Sequence, residues 1–131
     1  MPTVSTASAD KVKDWGPVLE QTSDLDGYTV GFVTFREDSD ITDILAGLSQ
    51  GKCICPHWGY LFKGEMNVAY DTGERETVTA GTAFYTPPGH TSWRAAAGSE
   101  MLMFSPADLL AEVDAAIAAM MQERAGAHTH D

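Results

Sequence analysis

The spacing of hydrophobic and polar positions changes twice along the chain. Residues 1 to 14 offer only Val4 and Val12 as aliphatic anchors among Ser, Thr, Ala and charged residues, which is the composition of a terminal arm. From Tyr28 to Phe35 the run YTVGFVTF gathers β-branched and aromatic residues over a strand length. Ile41 to Leu45 predicts another short strand. Trp58 to Phe62 leads into Lys63-Gly64, after which Met66, Val68 and Tyr70 alternate with Glu65, Asn67 and Ala69. This pattern predicts a hairpin closed by a tight glycine turn. The turn Asp71-Thr72-Gly73-Glu74 introduces Arg75 to Thr79, and Gly81 opens a run to Tyr85 that Pro87-Pro88-Gly89 stops. Trp93 to Ala97 and Met101 to Phe104 lie on either side of Gly98. Roughly seven or eight short strands with turn residues between them predict an antiparallel sandwich or barrel.

After residue 105 the period lengthens. Ser105-Pro106-Ala107-Asp108 reads as a helix start, with Ser105 as N-cap and Pro106 at the first helical position. Leu109, Val113, Ile117 and Met120 then form an apolar stripe that must cover the barrel or a partner. The expected organisation is an N-terminal arm over 1–27, a β-barrel over 28–105, a helix over 106–125 and a disordered tail over 126–131.

The 131 residues suit one domain, and 44% hydrophobic content excludes global disorder. Eight Lys and Arg against 19 Asp and Glu give a net charge of −11. That balance repels phosphate backbones and anionic lipid, so nucleic-acid and membrane partners are not expected. No apolar run approaches the ~20 residues of a membrane span, and the first ten residues lack a secretory pattern, so the expected location is cytoplasmic.

Chemistry concentrates in Cys53-Ile54-Cys55-Pro56-His57. In an extended segment Cys53 and Cys55 sit about 6.5 to 7 Å apart on one face, at the long end of disulfide geometry. Reduced thiols beside a histidine suit metal ligation or buried packing. If the segment is extended, Cys53, Cys55 and His57 face one way, and His90, after a Pro-Pro-Gly corner, can join them. Pro56 argues for a strand entrance or edge there. The pairs Asp24 with Asp26 and Glu74 with Glu76 read as solvated surface.

Two stretches, Gly59-Tyr60-Leu61-Phe62-Lys63-Gly64-Glu65 and Gly81 to His90 (GTAFYTPPGH), resemble the two sequence motifs of the cupin superfamily. The resemblance spans about residues 51 to 104. It implies an all-β, antiparallel jelly-roll barrel, here with a C-terminal α-helix, a divalent metal at the barrel mouth and a homodimer. The usual three-histidine, one-glutamate set is absent: His57 stands where the family has its Glu, Cys53 near its second His, and Ser92 where its last His falls. His90 lies two residues before Ser92, a shift that would keep it on the same face.

The expected site is therefore a metal held by Cys55, His57, His90 and Cys53, beside a pocket for a small-molecule ligand or substrate. Zinc suits thiolate and imidazole best, with iron, manganese and nickel as other candidates. For an enzyme, Tyr60, Tyr85 and Glu65 are the candidates to move protons. The rival function is a non-catalytic binding or sensing module.

Overall fold

The computed structural model describes residues 2–129, with side chains described through residue 123. Ten strands and two helices lie within the described residues. In chain order the strands are β1 (Lys11–Asp14), β2 (Val18–Leu25), β3 (Tyr28–Phe35), β4 (Ser39–Asp40), β5 (His57–Lys63), β6 (Glu65–Tyr70), β7 (Arg75–Thr79), β8 (Thr82–Thr86), β9 (His90–Ala95) and β10 (Glu100–Pro106). The helices are α1 (Thr42–Ala46) and α2 (Ala107–Thr129). One sheet has the order β1-β2-β3-β10-β5-β8 and the other β4-β9-β6-β7, with every pairing antiparallel.

From β8 to β10 each strand lies in the opposite sheet from its predecessor. This alternation is the jelly-roll signature, and it forces both inner faces to share one core. Val33, Phe35, Leu61 and Met101 meet Met66, Val68, Val78 and Trp93 across that gap. A second cluster joins Leu45 of α1, Cys53, Cys55 and Val113 of α2.

Several local expectations are corrected. β5 and β6 form no hairpin: β5 pairs with β10 and β8, and β6 with β7 and β9. Gly64, at φ +87°, is instead the corner between sheets, and a Cβ there would lie 2.0 Å from Ser99 Oγ. Ser99 fixes that corner by accepting the Glu65 N–H at 3.1 Å. Sequence alternation identifies strands but not their partners, because a hairpin and a corner need the same glycine.

Ile41 to Leu45 contributes to α1 rather than to a strand. Asp40 accepts the Thr42 N–H at 2.9 Å, a local bond that turns the chain out of extended geometry. The expected arm contains β1 and β2, which pair in register and join the larger sheet. Leu25-Asp26-Gly27-Tyr28 is a two-residue hairpin turn with Asp26 and Gly27 both at positive φ, the geometry that Asp-Gly favours.

Ser105 and Pro106 end β10 instead of starting the helix, and α2 begins at Ala107. At the other end Gly126 does not terminate α2, which runs to Thr129. A helical glycine costs only about 1 kcal/mol relative to alanine. The remainder of the expected tail, His130 and Asp131, lies outside the described residues. No described helix is long and apolar enough to cross a membrane.

Candidate metal centre and cavity

His57 opens β5, where His57 and Leu61 point into the core while Trp58, Tyr60 and Phe62 face outward. Gly59 keeps the inner lane open, because a Cβ there would stand 2.4 Å from the Phe84 ring. His90 opens β9 on the opposite sheet and is paired with Tyr70, whereas Ser92 is paired with Ala69. The register slips by one between them, a bulge at Thr91. Because of that slip His90 and Trp93 both face the core, although they are three positions apart, an odd number. Ser92 takes the other face and lies 2.9 Å from the Thr42 hydroxyl. The bulge, not a two-residue shift along one face, aims His90 inward.

Cys53 reaches the same point as an isolated bridge to β9. Its N–H donates to the His90 carbonyl at 3.0 Å, and its own carbonyl accepts from Gly89 N–H at 2.8 Å. The donor atoms of Cys53, His57 and His90 all lie within 4.8 Å of one another, and all three residues are buried. The two imidazole centroids are 5.4 Å apart, and Trp93 packs edge-on against both rings at 5.8 and 5.4 Å. Cys55 is fully buried but turned away, its sulfur 3.6 Å from the Pro56 carbonyl and packed in the cluster beneath α2. Both thiols are free.

Burial, reinforced by the neighbouring His90, pulls His57 down to about 3. Burial likewise pulls His90 down to about 4, with the Pro87 carbonyl opposing. Both rings are neutral at pH 7 and have a lone pair to give. Burial raises the Cys53 thiol, and it pushes Cys55 up to about 12. His57 Nδ1 is 2.7 Å from Ser105 Oγ, while His90 Nδ1 is buried with no hydrogen-bond partner. A buried polar atom left unpaired costs about 1–3 kcal/mol. The donor set therefore fits a soft or borderline divalent ion: two neutral imidazoles and one sulfur, with one imidazole nitrogen left without a hydrogen-bond partner.

The three residues form part of the wall of a cavity of about 600 Å³. Its apolar lining comes from Val33, Phe35, Met101 and Met103 of the larger sheet, from Ile44 and Leu45 of α1, and from Leu110, Val113 and Ile117 of α2. The apolar stripe of α2 thus closes the barrel's own end. Lys13 of β1 and Asp114 of α2 form an ion pair at 3.1 Å beside this opening.

Tyr60 and Tyr85 do not share this space. They are 39% and 45% exposed on the outer face of the larger sheet, which removes them as proton carriers for the cavity. Glu65 is exposed in a shallow depression with Asp40, Asn67 and Arg94. Even positions of β5 and odd positions of β8 point outward, so strand parity places both tyrosines opposite His57. Sequence reasoning missed Ser105 as the partner of His57; its helix-start signature masked a strand position.

No protein-family model and no curated protein sequence matches the chain. Solved structures do. An RmlC-like cupin from Shewanella frigidimarina NCIMB 400 aligns with TM-score 0.55 and 20% identity, covering 81% of this chain and 92% of that one. Ectoine synthase from P. lautus aligns with TM-score 0.57 and 14% identity over 81% of this chain and 78% of its own. The polyketide cyclase RemF from Streptomyces resistomycificus gives 0.56 and 15% over 81% and 79%. The fold is that of the cupins: an antiparallel jelly roll with a C-terminal helix.

Proposed function

We propose that this chain is a metal-binding cupin in which Cys53, His57 and His90 hold one zinc ion at the wall of a small-molecule cavity. The observation that carries the reading is the convergence of two imidazoles, from β5 and β9, and the Cys53 sulfur bridged to β9 beside an apolar cavity, with one imidazole nitrogen otherwise unpartnered. Three protein ligands leave a fourth position free, the arrangement of catalytic rather than structural zinc sites. This favours metal-assisted chemistry on a bound small molecule over the purely sensing alternative. Zinc in such a site polarises a bound oxygen and acidifies a bound water. The chain's own residues supply the sulfur, the two neutral nitrogens and a dry wall. Free thiols at such a site suit a reducing compartment, which supports a cytoplasmic location.

A homodimer accompanies this reading. Tyr28, Trp58, Tyr60, Phe62, Tyr85 and Phe104 are exposed on the outer face of adjacent strands, with Trp58 and Tyr85 rings 4.9 Å apart. A contiguous aromatic face of this kind suits burial against a second copy.

The deciding experiment is elemental analysis of the full chain carrying His128→Ala and His130→Ala, which removes the two histidines near the end of the sequence as adventitious metal binders, combined with light scattering. About one zinc per chain, lost in His57→Ala, supports the site. Failure to take up zinc, iron, nickel or manganese on titration overturns it, and a species of only 14.1 kDa overturns the dimer.

A further inference from the structure

We infer that the cavity takes an apolar monocarboxylate, its single anionic head meeting the ion at Cys53, His57 and His90 and its apolar body lying between the larger sheet and α2. This deepens the proposed function and rests on its metal centre. The cavity is graded in polarity. Cys53, His57 and His90 stand at its buried end, and its walls include Val33, Phe35, Met101 and Met103 of the sheet with Leu45 of α1 and Val113 of α2. Every ionised residue of the lining, Lys13, Glu20, Asp38, Asp40 and Asp114, is half-buried or exposed and so belongs to the mouth. The volume of about 600 Å³ lies within the ~300–1,000 Å³ of small-molecule sites.

Charge sets the head. One thiolate and two neutral imidazoles around a divalent cation leave a single positive charge in a buried wall. An uncompensated buried charge is unfavourable, so a monoanionic group at the fourth position neutralises the site, whereas a hydrocarbon leaves it cationic and a dianionic head makes it anionic. The walls set the body, because apolar surface gains by burial there and hydroxyls would lose their water. The mouth rejects a second anion. Four of its five ionised groups are acids, and the one cation, Lys13, is paired with Asp114 at 3.1 Å. The other acids are engaged as well: Glu20 accepts the Trp15 indole N–H at 2.7 Å, Asp38 the Ala97 N–H at 2.8 Å, and Asp40 holds Arg94 at 3.0 Å. An anionic far end would therefore lie among four acids with no free cation among the described lining residues.

The test is equilibrium dialysis of four probes against the full wild-type chain, zinc-loaded and zinc-free: naphthoate, ethylnaphthalene, acetate, and a naphthalene dicarboxylate with its two groups at opposite ends. Naphthoate is expected to bind at least about tenfold tighter with zinc than without, and ethylnaphthalene equally in both forms. In the zinc form naphthoate should exceed acetate by about a hundredfold, the gain from burying the ring system, and the dicarboxylate by about tenfold or more. Ethylnaphthalene should displace naphthoate, since the two bodies share one space. With cobalt(II) in place of zinc, naphthoate and acetate should alter the visible bands of the metal and ethylnaphthalene should not. Naphthoate binding that ignores zinc, acetate within about threefold of naphthoate, a dicarboxylate as tight as naphthoate, or simultaneous binding of naphthoate and ethylnaphthalene would each overturn the inference. Each of these results, in a chain that has taken up zinc, leaves the metal centre standing. A chain that takes up no zinc overturns both, and elemental analysis reads that before any probe is added.

Discussion

Ser105 Oγ lies 2.7 Å from His57 Nδ1, joining the last turn of β10 to the first residue of β5 inside the barrel. Phe104 and Trp58 are paired in that ladder, so the hydroxyl is carried to the ring by the strand register itself. The contact fixes the ring's orientation and leaves Nε2 as the nitrogen available to an ion.

Ser105→Ala should therefore weaken zinc affinity by about 10- to 100-fold, the range typical of a lost partner behind a ligating histidine. Competition against a chromophoric chelator measures it, with circular dichroism confirming the fold. An affinity unchanged within about threefold would show that the hydroxyl does not orient His57.

Zinc uptake at pH 7 should release close to one proton per ion. His57 at about 3 and His90 at about 4 are already neutral, whereas the buried Cys53 thiol is raised and must lose its proton to bind. Affinity should rise about tenfold per pH unit between 7 and 8, and calorimetry in buffers of different ionisation enthalpy counts the proton. Two protons per ion in the wild type that fall to one in Cys55→Ser would bring Cys55 into the ligand set, whereas a second proton still released by Cys55→Ser would come from zinc-bound water.

The two cysteines should separate cleanly. Cys53→Ser should cost most of the zinc affinity, because its sulfur belongs to the three-donor group. Cys55→Ser should leave affinity within a few-fold while lowering stability by roughly 1–3 kcal/mol, since it puts a hydroxyl into a fully buried apolar cluster. Chelator competition and urea unfolding read the two effects separately. Equal loss of zinc in both variants would contradict the three-ligand site.

This separation also marks where sequence reading stops. Two-residue spacing suggests that Cys53 and Cys55 share a face, but only while the backbone stays extended. The bridge from Cys53 to His90 and the irregular stretch before His57 break that parity. His57 was legible from strand parity and His90 from the Pro-Pro-Gly corner, but the two-residue shift expected to keep His90 on the face of Ser92 fails at the bulge. The bulge at Thr91 was not legible, because no residue type announces an extra residue in a strand. The strands from β5 to β10 stood out by alternation, yet alternation is blind to pairing, which hid the Gly64 corner. The Asp26-Gly27 hairpin was present in the sequence as a strong local signal, but polar residues in β2 obscured it.

The metal-free protein should lose stability between pH 6.5 and about 4, before ordinary carboxylates titrate in bulk. The ordinary histidine value of 6.5 is depressed in the folded state to about 3 for His57 and about 4 for His90. The unfolded chain therefore takes up protons first as pH falls, and the stability held above 6.5 drains away until the folded values are reached. At pH 5 the loss should be roughly 2 kcal/mol per histidine relative to pH 7. Urea midpoints at the two pH values measure it. In the His57→Gln, His90→Gln double variant, which has nothing to titrate at these positions, most of the difference should vanish. An unaltered pH dependence in that variant would assign the acid sensitivity to other groups and would mean that the two rings are not buried as neutral imidazoles.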